Sequence, residues 1–148
     1  MENTLLKNEL FGTSVIKDYL SGGNAIVTLT SDSGVYHTYR FYKSAKSRMR
    51  SALFVETMVD NGEWKYVGML NGGHFILTKC SKFARDNEIV LGVVYILKMM
   101  FKDGYHDDRM HLYHSGVCSV CGRRLVSPKS IQIGMGKECK RRVRNAGR

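Results

Sequence analysis

Residues 25–42 read AIVTLTSDSGVYHTYRFY, two runs rich in β-branched and aromatic residues that flank a short polar turn. Apolar and polar side chains alternate within Ala25–Thr30 and again within Val35–Tyr42, which predicts two strands. The turn Asp32-Ser33-Gly34 holds residues that tolerate positive φ, as a tight hairpin requires. This stretch therefore predicts an antiparallel β-hairpin.

Three further runs extend this hairpin into a larger sheet. Ala52–Val59, Trp64–Leu70 and Phe75–Thr78 have strand-like composition. The short turns Asp60-Asn61-Gly62 and Asn71-Gly72-Gly73 separate them. Ser81–Lys102 has apolar residues at three- and four-residue spacing, which predicts a helix packed on the sheet, although its β-branched residues also fit a buried strand. A short amphipathic helix is predicted in the first twenty residues, ending at Gly22-Gly23. We expect an α+β fold with an antiparallel sheet of about five strands and one packed helix.

Composition narrows the class of protein. The chain has 148 residues, of which 43% are hydrophobic, and this excludes disorder over the whole length. The longest uncharged apolar run, Ile89–Leu97, is about half of what a helix needs to cross a bilayer, so no membrane span is expected. No basic segment precedes an apolar block at the N-terminus, so we expect no cleaved secretion signal and a reducing, cytoplasmic setting.

Positive charge is concentrated in the last quarter of the chain. Of the net charge of +10, residues 109–148 contribute +9, with ten Lys and Arg against one acidic residue. This asymmetry predicts a near-neutral body at residues 1–105 and an appended basic module at residues 106–148. Because of this positive charge, we expect the protein to bind an anionic partner.

The module carries a pattern of metal ligands. Cys118 and Cys121 form a Cys-x2-Cys pair, Cys139 follows, and His114 precedes the pair by four residues. A Cys-x2-Cys turn places two thiolates on one metal, and zinc takes four such ligands in a tetrahedron. The spacing predicts one structural Zn²⁺ held by His114, Cys118, Cys121 and Cys139.

Other roles for the cysteines and other histidine ligands fit the sequence less well. A redox dithiol is disfavoured because the chain lacks a thioredoxin-like βαβ pattern, and a disulfide is disfavoured by the expected compartment. His111 is the next candidate for the fourth ligand, followed by His106. Cys80 lies far from the others in a strand-like context and is predicted to be a buried free thiol.

The rest of the module fits a treble-clef-like arrangement. Gly122 follows the cysteine pair, where a knuckle favours a residue without a Cβ. Arg124–Val126 and Ser130–Ile133 are predicted to form a small hairpin, and Gly134-Met135-Gly136 then leads into a helix that carries Cys139.

These residues resemble a zinc-ribbon-type family of unknown function found in bacteriophage, plasmid and bacterial proteins. The shared pattern is His-x3-Cys-x2-Cys-Gly-Arg-x-Leu-x2-Pro-x-Ser-Ile-x2-Gly-x-Gly-x2-Cys, spanning His114 to Cys139. Trp64–Leu70 and Thr78–Ser81 also resemble a companion region seen upstream in that family. The resemblance supports His114 as a ligand and implies a metal site and a phage-like origin, without implying an activity. Lys137 stands where the family commonly has Pro and adds positive charge.

The sequence does not predict an enzyme. A treble-clef nuclease needs a general-base His on its hairpin and further metal ligands on the next helix, which here offers only Glu138 and Asn145. Three thiolates and a histidine would also close the zinc to water. The sequence shows neither a nucleotide-binding fingerprint nor a catalytic triad, so no small-molecule substrate is indicated.

Clustered cations instead predict contacts to phosphate, because each guanidinium offers a planar fork of donors. A solvated surface that keeps the protein soluble is the plainer interpretation. The predicted nucleic-acid contacts are Arg123, Arg124, Lys137, Lys140, Arg141, Arg142 and Arg144 in the module and Arg40, Lys43, Lys46, Arg48 and Arg50 in the body.

Two functions follow from the sequence. The first is a phage-encoded zinc protein that binds DNA or RNA with low sequence specificity, in a regulatory role. The alternative is a protein-interaction factor, such as an inhibitor that binds an acidic surface of a host nucleic-acid enzyme or defence system, with a purely structural zinc. Both functions use the same positive surface.

Overall fold

A computed structural model of the chain describes residues 8–34, 36–43, 52–60, 62–71, 73–102 and 108–146, with backbone only for residues 143–146. Across these residues, none of the helices combines the length and the apolar character that crossing a bilayer requires. Val35, predicted to begin the second strand, lies outside the described residues, as do Lys46, Arg48, Arg50 and His106.

The predicted α+β class is confirmed, with an antiparallel sheet of six strands among the described residues, one more than predicted. The strands are β1 (Asn24–Ser31), β2 (Tyr36–Tyr42), β3 (Leu53–Met58), β4 (Trp64–Asn71), β5 (His74–Ile76) and β6 (Met110–His114). Their order in the sheet is β5-β4-β3-β2-β1-β6, so the first five form a meander. The sixth strand returns to the free edge of β1.

β6 comes from the region that the sequence assigns to the separate module. It pairs with β1 in antiparallel register, with Leu112 opposite Leu29 and His114 opposite Val27. All four side chains are buried. The module therefore begins as a strand of the body's own sheet.

Alternation along the strands gives the sheet two different faces. One face buries Val27, Leu29, Tyr39, Phe41 and Val55 in the core. The opposite face, hereafter the open face, carries side chains that remain partly or fully exposed. These are Ile26, Thr28, Tyr36, Arg40, Tyr42, Phe54, Trp64, Tyr66, His111 and Tyr113.

Two helices supply the other half of the core. α1 (Thr13–Leu20) ends before Gly22-Gly23, as predicted, and contacts α2 (Glu88–Phe101). α2 begins seven residues later than predicted because the Asn87 side chain accepts a hydrogen bond from the Ile89 backbone N–H (2.9 Å) and caps the helix. The Tyr39 hydroxyl donates to the Ile89 carbonyl (2.8 Å) and ties α2 to the sheet.

The module contains two further helices, and one of them replaces the predicted hairpin. Residues 128–133 form α3 (Pro128–Ile133), so the hairpin of 124–126 with 130–133 is wrong. The reason is local. The Ser127 hydroxyl accepts a hydrogen bond from the Ser130 N–H (3.2 Å) and caps the helix. Pro128 lies in the first turn, where a backbone N–H would have no partner within the helix, so its missing N–H costs nothing. α4 (Lys137–Ala146) follows, and it carries Cys139 as predicted.

Tyr19 of α1 holds the module against the body. Its side chain is fully buried, its hydroxyl donates to the Ile26 carbonyl (3.0 Å), and its ring lies 5.6 Å from the His114 ring between centroids. Gly134, which ends α3 with φ 76°, packs directly on the Tyr19 ring. A side chain at position 134 would overlap that ring.

Gly134→Ala is therefore expected to lower the free energy of unfolding by about 2–4 kcal/mol, because it adds overpacking against Tyr19 to the strain of positive φ. Gly62 has a similar φ of 80° with nothing within 4 Å, so Gly62→Ala is the matched control and should cost only about 1 kcal/mol. Urea denaturation of the two variants measures the difference. Equal losses would show that the Tyr19 contact adds nothing.

Candidate metal centre and the basic surface around it

The Cys-x2-Cys segment folds as a tight knuckle. The Cys118 N–H donates to the Arg123 carbonyl (2.8 Å) and the Gly122 N–H donates to the Cys118 carbonyl (3.0 Å). Val117 and Arg124 pair as an antiparallel bridge that closes the segment. Gly122 adopts φ 77°, which a residue with a Cβ rarely adopts.

The knuckle sits at one end of the sheet. The Asn24 N–H donates to the Ser119 carbonyl (2.8 Å), and the Asn24 side chain donates to the Val120 carbonyl (3.2 Å). At the same end, the Lys43 N–H donates to the Gly23 carbonyl (3.2 Å). The knuckle thus lies where β1 begins and β2 ends.

Three thiols converge at this point. The Sγ atoms of Cys118, Cys121 and Cys139 lie within 4.8 Å of one another. Cys118 and Cys139 are buried and Cys121 is exposed. Three thiolates around a tetrahedral zinc at about 2.3 Å would be about 3.8 Å apart, so the observed cluster is suited to a metal ion after a small contraction.

The pKa values of the two buried thiols are shifted in opposite directions by their surroundings. Burial opposes ionisation of Cys118, but backbone hydrogen bonds from Cys121, Gly136 and Val120 lower its pKa to about 7. Burial, together with the neighbouring thiols Cys121 and Cys118, raises the pKa of Cys139 to about 11. A cation is the natural partner of such a cluster, because it stabilises all thiolates together.

His114 is buried, but its two ring nitrogens contact the backbone. Nδ1 accepts from the Gly116 N–H (2.9 Å), and Nε2 lies 2.5 Å from the Ile131 carbonyl oxygen. Because Nδ1 accepts a hydrogen bond and Nε2 faces a carbonyl oxygen, the contacts fit a neutral ring with its proton on Nε2. Burial also lowers the pKa of His114. A neutral imidazole is the form that binds metal, and His114 as the fourth ligand stays a prediction.

The other candidate histidines are placed elsewhere or not described. His111 lies on the open face, where Nδ1 is 2.9 Å from Glu9 Oε2 and Nε2 is 3.4 Å from Asp32 Oδ1. Glu9 above all raises the pKa of His111. His106 lies outside the described residues.

The prediction for Cys80 is wrong. The residue is exposed and lies in a turn after β5, where its N–H donates to the Thr78 hydroxyl (3.3 Å). Cys80 lies two residues beyond the predicted strand of 75–78, so the alternation of that strand does not extend to its side chain. Cys80 is nevertheless a free thiol apart from the cluster, as predicted.

Cations surround the thiol cluster. The knuckle carries Arg123 and Arg124, both exposed, and α4 carries Lys137, Arg141 and Arg142, exposed, with Lys140 half-buried. Arg141 is 2.8 Å from Glu138 Oε2. The side chain of Arg144 is outside the described residues. Of the body's group, Lys43 is exposed and Arg40 pairs with Glu56.

Part of this module is similar to a known protein family. Residues 108–144 match a protein family described as Family of unknown function (DUF6011). The match includes β6, the knuckle and most of α4. Comparison with curated proteins found no match, and comparison with solved structures found none either.

Metal affinity is expected to fall by at least about tenfold per pH unit between pH 8 and pH 6. The Cys139 thiol, with a pKa of about 11, must lose its proton to bind, and Cys118 adds to the effect below about pH 7. Competition with a chromophoric chelator over this pH range measures the slope. An affinity that stays constant would contradict ligation by these thiols.

Proposed function

We propose that the chain is a zinc protein that binds DNA or RNA through the cations on its knuckle and on α4, with low sequence specificity. The supporting observation is the convergence of three thiols from two segments. Cys118 and Cys121 belong to the knuckle and Cys139 to α4, so a metal between them would hold both cationic segments together. The bacteriophage origin implied by the resemblance stays a prediction.

Zinc in this proposal is structural. Cys118 is 1% and Cys139 7% exposed, so two of the three sulfurs are shielded from solvent and would serve folding rather than catalysis. His114 would supply the fourth ligand by releasing one backbone contact. We propose a binding function without catalysis for the same reason.

Electrostatics supports an anionic partner. The exposed arginines 123, 124, 141 and 142 lie on the two joined segments, and Glu138 is the one acidic residue from 109 to 148. Guanidinium groups bind phosphate through paired donors. Phosphate contacts position a protein on nucleic acid without reading its sequence, which is the basis for proposing low specificity.

Purified, reduced protein is expected to contain one zinc per chain, and Cys121→Ser is expected to lose it. Structural zinc contributes on the order of 10 kcal/mol to folding of a small module, so residues 115–146 should lose their dispersed amide signals. β1–β5 should keep theirs, but with a lower free energy of unfolding, because the sheet shares its core with the module. Elemental analysis and NMR spectra measure both. Cys80→Ser, which removes an exposed thiol outside the cluster, is the matched control and should keep the metal.

Two other results would change this view. A chelator-free, reduced preparation without zinc would refute the metal assignment. If His114→Ala keeps full zinc affinity, His114 is not the fourth ligand.

Replacing Lys140, Arg141 and Arg142 with Ala is expected to weaken nucleic-acid binding and flatten its salt dependence. Each lost phosphate contact reduces the slope of log affinity against log salt by roughly 0.9, so a slope of about −3 to −4 should shrink by 2 or more. Fluorescence anisotropy with a labelled oligonucleotide measures the slope.

The matched control removes the same charge from another surface. Lys79, Lys82 and Arg85 are exposed on the segment between β5 and α2, and their replacement with Ala should leave the slope unchanged. Equal effects of the two triple variants would indicate a nonspecific charge effect. No binding at low salt, together with recovery of one stoichiometric protein partner, would favour the protein-interaction alternative.

A further inference from the structure

We propose that the open face of the sheet binds single-stranded nucleic acid by stacking unpaired bases on its aromatic side chains. This inference rests on the proposed function and adds the strand type and a second surface. The surface is formed by Arg40 and Tyr42 of β2, Phe54 of β3, and Trp64 and Tyr66 of β4.

The aromatic rings form a row across three neighbouring strands. The ring centroids of Tyr42 and Phe54 are 5.7 Å apart, and those of Phe54 and Tyr66 are 6.5 Å apart. All three side chains are half-buried, so each ring is held by its neighbours and keeps part of its surface in solvent. Rings held in this way lose little conformational entropy when a base stacks on them.

Arg40 adds a second kind of stacking surface. Its guanidinium lies 5.3 Å from the centre of the Tyr42 ring and 4.8 Å from the centre of the Trp64 ring. An ion pair with Glu56 fixes its orientation, and the Arg40 side chain is 37% exposed. Arginine planes stack on bases in the same way as aromatic rings.

The charge around this surface is compatible with an anionic strand, because two carboxylates that would repel phosphate are paired. Glu56 is paired with Arg40, and Glu9, near the other edge of the open face, is paired with His111. The aromatic row leads toward the end of the sheet where Lys43 and the knuckle lie together. A strand stacked on the row would therefore reach the cations of the knuckle.

An unpaired strand is required by geometry. Bases in a duplex stack on each other and expose only their edges, so a flat face of rings cannot stack on them. A single strand can turn its bases toward the sheet and its phosphates toward the cations.

Trp64 makes the inference directly measurable, since it is the single tryptophan of the chain. Titration with a thymidine oligonucleotide of ten residues is expected to quench Trp64 emission. A duplex of the same length and inorganic polyphosphate are the comparisons: both offer phosphates, and neither should quench. Quenching by polyphosphate equal to that by the oligonucleotide would overturn the proposal.

Substitutions with Leu remove an aromatic ring but keep an apolar side chain, so they test whether stacking itself is needed. Tyr42→Leu and Phe54→Leu are each expected to lower single-strand affinity by roughly tenfold, with polyphosphate affinity unchanged, whereas Tyr42→Phe should retain binding. Phe101→Leu removes an aromatic ring that is 48% exposed on α2 and is the matched control without effect. Equal losses in Tyr42→Leu and Phe101→Leu would overturn the inference.

The outcomes also distinguish the two proposals. Salt-dependent binding that is lost with Lys140, Arg141 and Arg142 but never quenches Trp64 would refute stacking and leave the proposed function intact. Absence of binding to single strands, duplex and polyphosphate at low salt would refute both. A protein partner whose binding is abolished by Tyr42→Leu, without any oligonucleotide binding, would reassign the open face to a protein interface.

Discussion

The antiparallel pairing of β6 with β1 is the contact on which the position of the thiol cluster depends. β1 pairs with β2 through a local hairpin and with β6 across more than 75 residues of chain. Because His114 ends β6 opposite Val27, the chain leaves the sheet close to the start of β1. The knuckle that follows can then bond to Asn24, and Cys118 and Cys121 are set at this end of the sheet. A shift of one residue in this register would turn His114 and Leu112 away from the core.

Tyr19 completes this arrangement from the helical side. Its buried ring contacts His114 and Gly134, and its hydroxyl satisfies the Ile26 carbonyl. The body and the module therefore share a core, in which Cys118, Leu125, Met135 and Cys139 belong to the same buried cluster as the strands. The stability of the thiol cluster and that of the sheet are coupled through these contacts.

The thiols and most of the cations of the module lie on the same two segments, the knuckle and α4. If a divalent cation bound there, the three thiolates and the cation would leave about one negative charge at the centre, near a surface of arginines and lysines. The metal would thus hold the segments together, and the net negative charge of its thiolates would offset part of the repulsion between Arg123 or Arg124 and the cations of α4. The surface itself keeps its positive charge toward solvent. Tyr42 and Phe54 of the open face lie near the same end of the sheet and present rings instead of free charges.

Local patterns in the sequence determined much of the structure. Alternation predicted the first five strands, the cysteine spacing predicted the three thiols that converge, and Gly134-Met135-Gly136 predicted the start of α4. Ser127-Pro128 also carried the signal for α3, since a serine cap and a proline in the first turn favour a helix, although the same residues were predicted to form the turn of a hairpin.

Tertiary structure decided what depends on distant partners. β6 is five residues long and exists because β1 offers a free edge, which no local pattern reveals. The exposure of Cys80 and the contacts of His114 with Gly116 and Ile131 were likewise set by packing. The sequence by itself determined which segments can form strands, helices and a thiolate knuckle, because those preferences act within a few residues. Which edges, faces and ring nitrogens meet was decided only by the folded chain, because hydrogen bonding and burial depend on neighbours that are far apart in sequence.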